Sequence, residues 1–313
     1  MSKHRKRSLL FRKYSSWFSS RIYIFVFFLV ERLSLKHAYQ LGRFFGSLFF
    51  YLSSHRRKIV EENVRTLKAW ATKRNLNNAL LDQEDSVIAK KIYQSNAGNF
   101  LYSFSMMNKP ITTVKKYLKI KNCELLEKAY EKNKGVIMLF SHTGPWELTV
   151  MMSELIPPIF KASKRCEMAI MFRPLNNYFL NKWYLRKRSR YGALLLSRDD
   201  GFFKIIRLLK NGSFANIAFD IRMQQGQKIE LFDRQASTSK IPYVLHKASK
   251  ALVIALSLVK SGDLGWEIEF KEIASAENGI CPEMSLLKAS NEHLEQVIFN
   301  NPYDYFFFQD RYK

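Results

Sequence analysis

The stretch VIMLFSHTGPWELTVMM, residues 136–152, decides how the chain is read. Five consecutive apolar residues, Val136 to Phe140, predict a strand buried on both faces, because a strand with one wet face would alternate. Gly144 and Pro145 then predict a turn, and the apolar spacing beyond it predicts a helix. His142 stands at the strand exit and Glu147 in the first helical turn. In open α/β sheets ligands gather outside the carboxyl ends of the strands, so both residues fall where sites are built. Glu147 is expected to hold one ring nitrogen of His142 while the other faces substrate, which is how a general base is oriented. The same carboxylate would stabilise the imidazolium once the base has taken a proton. Backbone amides from Trp146 to Leu148 are expected to be free for a phosphate or an oxyanion. Taken alone, a His and a Glu at this spacing form a weak pattern that a helix-capping Glu and a structural His would satisfy equally.

Outward from this segment, short apolar runs alternate with helical patterns. The runs are 136–140, 168–172, 193–197, 214–219, 251–259 and 266–270, and amphipathic stretches such as NYFLNKWYLRKRSR and GFFKIIRLLKNG lie between them. Strands joined by crossover helices predict an α/β fold with a mostly parallel central sheet flanked by helices. Residues 59–134 are polar and helical in pattern, with a loop at about 71–86. Towards the N-terminus, Lys3, Arg5, Lys6, Arg7, Arg12 and Lys13 precede an apolar run from Ile22 to Val30, and a second apolar segment ends in His55, Arg56, Arg57 and Lys58. Nine apolar residues fall short of the ~20 that span a bilayer, and no cleavage site of a signal peptide follows. Residues 1–58 are therefore expected to form an N-terminal membrane-anchoring helical region, lying in or dipping into the interface, ahead of one domain at 59–313.

A composition of 47% hydrophobic and 25% charged residues excludes disorder. The net charge of +24, from 51 Lys and Arg against 27 Asp and Glu, favours polyanionic partners: acidic lipid headgroups, an acidic carrier protein or nucleic acid. A nucleic-acid reading also requires a recognisable docking fold; none is present, so no nucleic-acid partner is expected. Cys123, Cys166 and Cys281 are odd in number and have no metal-ligand spacing. Neither a disulfide framework nor a metal site is expected, and a reducing compartment fits.

Several segments, in order, resemble one family. GVIMLFSHTGPWEL at 135–148 is similar to the first motif of the lysophospholipid acyltransferase superfamily, and specifically to that of the bacterial lipid A late acyltransferases, the lauroyl and myristoyl transferase group. FRPLNN at 172–177 resembles its Arg-Pro-x-x-Asn segment, RSRYGALLLSR at 188–198 its Arg-x-x-x-Gly stretch, and IELFDRQASTSK at 229–240 its aromatic, Gly-Arg-Pro and Ala-x-Ser segment. The tail NPYDYFFFQDRYK keeps the spacing of its closing motif from Pro302 to Lys313. The resemblance covers about residues 20–313.

The resemblance implies an acyltransferase in lipid A biosynthesis, acting at the cytoplasmic face of the inner membrane. Acyl carrier protein would present the acyl donor as co-substrate, the acceptor would be the hydroxyl of a membrane glycolipid, and no metal or other cofactor would be needed. It makes His142 the catalytic base and Glu147 its orienting partner. Arg173, Asp220 and Asn177 become substrate contacts, Arg173 through a guanidinium suited to phosphate oxygens and Asp220 by closing the pocket or bonding the acceptor sugar. The helix bearing Lys182, Arg186, Lys187, Arg188 and Arg190 is expected to face lipid phosphates or the acidic carrier protein. Departures fall at Ile221, where the family commonly has Gln, at Asp233-Arg234-Gln235 in place of Gly-Arg-Pro, and at Gln309-Asp310 in place of His-Arg. They leave open a different glycolipid acceptor, an acyl-CoA donor, or a non-catalytic membrane-bound family member.

Overall fold

The structure, a computed structural model, describes residues 3–156, 167–197, 201–277 and 279–313, with side chains described from residue 16 onward. The expected basic flank at 3–13 and Cys166 therefore lie outside the described side chains. Four helices lead the chain: α1 Lys3–Val30, α2 Leu35–Leu52, α3 Ser54–Lys73 and α4 Asp85–Met107. Helix α5 Ile111–Tyr117, strand β1 Leu118–Ile120 and helix α6 Glu124–Glu131 follow, then β2 Val136–Phe140. The remainder alternates: short α7 Met152–Leu155, β3 Met168–Phe172, α8 Tyr178–Ser189, β4 Leu194–Ser197, α9 Phe202–Lys210 and β5 Phe214–Ala218. A hairpin, β6 Gln227–Leu231 and β7 Arg234–Thr238, precedes α10 Ile241–Ser249, β8 Leu252–Ser261, β9 Gly265–Ala274 and α11 Glu283–Asn300.

Seven strands form one sheet in the order β1-β9-β8-β2-β5-β3-β4. The five from β8 to β4 are mutually parallel, while β9 pairs antiparallel with β8 and carries β1 parallel to itself. The α/β fold with a mostly parallel, helix-flanked sheet is thus present, and β2 sits near its middle. All five β2 residues are buried, which their uniform apolar character requires; each such side chain contributes about 1.5–3 kcal/mol on burial. Strand β1 and the β6–β7 hairpin escape sequence reading because each is short and mixed in polarity. The hairpin turns on Phe232 and Asp233, both at positive φ (51° and 58°), as a two-residue turn demands. Asp233, standing where the family pattern has Gly, is held there by Lys73 at 3.0 Å and by two Arg74 bonds at 2.9 and 2.7 Å.

The N-terminal expectation changes in form. Among the described residues no helix is long and apolar enough to cross a membrane, so a spanning anchor is not supported. Helix α2 lies against α4 so closely that a Cβ on Gly42 or Gly46 would sit 2.3 Å from the Ala97 or Tyr93 carbonyl oxygen. Its other face leaves Phe44, Leu48, Tyr51 and Leu52 exposed, as α1 leaves Phe18, Ile22, Phe25 and Leu29.

Candidate active site

Strand β2 delivers His142 to the carboxyl edge of the sheet, and the neighbouring β5 delivers Asp220 to the same edge. Their register pairs Phe140 with Ala218; two residues further along, His142 faces Asp220. The Asp220 carboxylate accepts the His142 ring Nδ1–H at 2.8 Å and the His142 backbone N–H at 2.8 Å. That double hold fixes both the rotamer and the tautomer, leaving Nε2 as the free ring nitrogen. Asp220 is 1% exposed, while the His142 side chain keeps 18% of its surface open. Burial pulls the imidazole down, but the charge and hydrogen bond of Asp220, with Glu147 adding, outweigh it and leave His142 above its ordinary value. For Asp220 burial pushes upward, and the His142 charge, two hydrogen bonds from His142 and the Arg311 charge bring it below the usual carboxylate range. This is a polarised histidine–carboxylate pair.

Glu147 does not orient His142. It lies on the 3-10 turn Trp146–Met151, 5% exposed, and meets Arg188 of α8 in a bidentate pair at 2.7–3.2 Å while accepting the Tyr184 hydroxyl at 2.5 Å. The reason is directional: β5 lies beside β2 and presents its carboxylate in line with the ring, whereas Glu147 points towards α8. Arg188 is accordingly removed from the expected basic surface and Lys187 pairs with Glu31 at 2.7 Å, so Lys182, Arg186 and Arg190 are the cations that α8 leaves exposed. The amides at the turn are also partly committed, Trp146 N to Gly144 O at 3.0 Å and Leu148 N to Pro145 O at 2.9 Å. Gly144 adopts φ +62°, and a Cβ there would come within 2.6 Å of the Trp266 ring, so this turn requires glycine.

Of the remaining expected residues, Arg173 is exposed just past β3. Asn177 caps α8 by accepting Leu180 N at 3.0 Å and donates to Ser16 O at 2.9 Å, which makes it a capping and helix-tethering residue instead of the expected substrate contact. Asp220 serves His142 rather than an acceptor sugar. Sequence reading gave Arg188 a surface role and gave none to Tyr184 or Arg311, because each lies far along the chain from His142 in an ordinary-looking charged or aromatic run. Among the described residues no group of three or more His, Cys, Asp and Glu could hold a metal ion.

The tail completes the site. Phe306 N donates to His142 O at 2.9 Å and Gly144 N to Asp304 O at 3.0 Å. Asn63 secures the tail by donating to Phe307 O and Gln309 O. Tyr305 and Phe307 are buried in the core, while the half-buried Phe306 and Phe308 line a cavity. Beside the imidazole, whose ring centroid lies 5.4 Å from Trp146 and 6.0 Å from Phe306, opens an apolar cavity of about 580 Å³ lined by Phe49, Tyr93, Phe100, Trp146, Phe306 and Phe308.

A mostly parallel sheet, an oriented histidine at its carboxyl edge and an apolar cavity sharing the Trp146 and Phe306 walls define an α/β protein with a site of the kind that such sheets build at their carboxyl ends. Residues 3–313 match the family of bacterial lipid A biosynthesis acyltransferases, and the chain belongs to that family. The family is one of acyltransferases acting on a lipid acceptor, which supports an acyltransferase role here. No curated protein matches the chain.

Proposed function

We propose that the protein transfers a fatty acyl chain from acyl carrier protein to a hydroxyl of a lipid A precursor, at the cytoplasmic face of the inner membrane. The observation that carries this reading is the His142–Asp220 pair, held at 2.8 Å, whose imidazole neighbours Trp146 and Phe306 also line an apolar cavity of a size typical for ligand sites. His142 Nε2 takes the proton of the acceptor hydroxyl as that oxygen attacks the thioester carbonyl carbon. The tetrahedral intermediate collapses, the carbon–sulfur bond breaks, and the departing thiolate takes the proton back from the imidazolium.

Arg188 supplies positive charge near the developing oxyanion. Its Nη1 takes no part in the bonds to Glu147 and Tyr184, and its charge is felt at His142; Glu147 fixes the guanidinium in place. The acyl chain occupies the cavity between Phe49, Phe100 and Phe306. Exposed Lys182, Arg186 and Arg190 suit an acidic carrier protein, and the apolar faces of α1 and α2 suit a membrane interface. The reaction requires no metal or cofactor beyond the acyl donor.

Mass spectrometry of lipid A from a host lacking its own late acyltransferases tests this, with the intact protein and with His142→Ala. An added acyl mass that disappears in the variant is expected. No added mass from the intact, membrane-recovered protein would turn the reading towards another acceptor lipid or a non-catalytic role, and equal turnover with acyl-CoA would overturn the choice of donor.

A further inference from the structure

Helices α2 and α4 and the C-terminal tail border a second cavity, of about 450 Å³, a size within the range of ligand sites. The apolar cavity takes Gly46 of α2, Tyr93 and Phe100 of α4, and Phe306 of the tail. The second takes Arg43, Lys91 and Tyr303 from the same three elements, with Lys260 near the end of β8 and Asn300 and Asn301 at the end of α11. Arg43, Lys91 and Lys260 are exposed, and among the described residues none of the three is paired with a carboxylate. Lys91 Nζ donates to Gln83 Oε1 at 2.5 Å and lies 5.3 Å from the centre of the Tyr303 ring, and Lys260 Nζ lies 5.7 Å from that of Tyr39. The Arg43 guanidinium and the side-chain amides of Asn300 and Asn301 make no hydrogen bond among the described residues. Asp304, the carboxylate in the wall, is 7% exposed and is committed to α4, accepting Ser95 Oγ at 2.5 Å and Asn99 Nδ2 at 2.8 Å. The cavity thus holds more positive than negative charge, with donors free to meet an anion.

We propose that this cavity binds the phosphate headgroup of an anionic membrane lipid, a phosphate monoester in preference to a diester. Guanidinium and ammonium groups are the donors that suit phosphate oxygens. A monoester offers more charge and one more terminal oxygen than a diester, so a cavity with three cations gains more from it. The amides of Asn300 and Asn301 suit ester or hydroxyl oxygens next to the phosphate. The lipid source follows from α2: Arg43 adjoins Phe44, and the same helix leaves Phe44, Leu48, Tyr51 and Leu52 exposed, so a headgroup held at Arg43 has an apolar face beside it for its chains. This rests on the interfacial reading of α1 and α2 and adds to it a defined headgroup, where a diffuse charge of +24 would recognise none in particular.

The test is binding of the full-length protein to phosphatidylcholine vesicles that carry phosphatidic acid, a monoester, or phosphatidylglycerol, a diester, at matched surface charge. It needs no acyl transfer, so it succeeds or fails independently of the reaction assigned above. Three proteins are compared: wild type, Arg43→Gln with Lys260→Gln, and Lys204→Gln with Lys228→Gln. The last pair removes the same charge from exposed positions on α9 and β6, outside the cavity. The expected result is a preference of about tenfold for phosphatidic acid in wild type, kept by the control pair and lost in the cavity pair together with about tenfold of its affinity. Equal weakening by the two pairs overturns the proposal. Binding of both vesicles without preference also overturns it and leaves the interfacial reading standing, whereas binding to neither sinks both. An affinity for glycerol 3-phosphate in solution equal to that for the vesicle lipid overturns the lipid source.

Discussion

Asp220 contacts His142 twice, through the ring and through the backbone N–H, so its removal disturbs orientation as well as charge. Asp220→Asn keeps the shape and an acceptor oxygen but loses the anion and admits the wrong tautomer. A fall in kcat of roughly 10²–10⁴-fold with KM little changed is expected, measured by acyl transfer in vitro; a loss confined to KM would sink the role given to Asp220. Glu147 makes a different case. Because Glu147 and Arg188 form a bidentate pair that is largely shielded from water, removing the charge of either leaves the other without its partner. Sequence spacing placed His142 at the strand exit and Glu147 in the turn of helix that follows, yet proximity along the chain does not determine which carboxylate meets a ring.

Among the elements, α2 and α4 show how little room the fold leaves. With the Gly46 Cβ position 2.3 Å from the Tyr93 carbonyl oxygen, Gly46→Leu must push the two helices apart. A loss of about 1–3 kcal/mol or more, read from the urea midpoint, is expected; an unchanged midpoint would contradict the close packing. On α11, burial and then the nearby Lys271 charge hold the His293 imidazole down at about 4, and its Nε2 shares a hydrogen bond with Ser257 at 2.8 Å. The unfolded chain takes up a proton near 6.5 that the folded protein refuses until about 4. Stability therefore drops as pH falls through that window, by about 3 kcal/mol, and levels off below it. Denaturation curves at pH 7, 5.5 and 4 should show a shallower decline for His293→Gln than for wild type; parallel declines would remove His293 from the account. The helices and longer strands were legible from apolar periodicity, whereas the β6–β7 hairpin was not, because its turn rests on Phe232 and Asp233 held by distant Lys73 and Arg74.

For the molecule as a whole, the proposed interfacial role rests on the charge of +24 together with the exposed aromatic faces of α1 and α2. The intact protein is expected to sediment with vesicles containing anionic lipid, less so at high salt, and Phe18→Asp with Phe44→Asp should weaken binding by at least about tenfold. Binding insensitive to both salt and these substitutions would sink the interfacial reading. The sequence by itself determined the α/β class, the strand that ends at His142, the charge and the family, since each is written in local periodicity, composition or ordered motifs. Tertiary structure alone decided that β5 lies beside β2, that Asp220 and not Glu147 holds His142, that Arg188 turns in to pair with Glu147, and that Arg311 is buried. Strand order and burial arise from packing between residues distant along the chain, 78 positions from His142 to Asp220 and 41 from Glu147 to Arg188, and no local pattern carries that information.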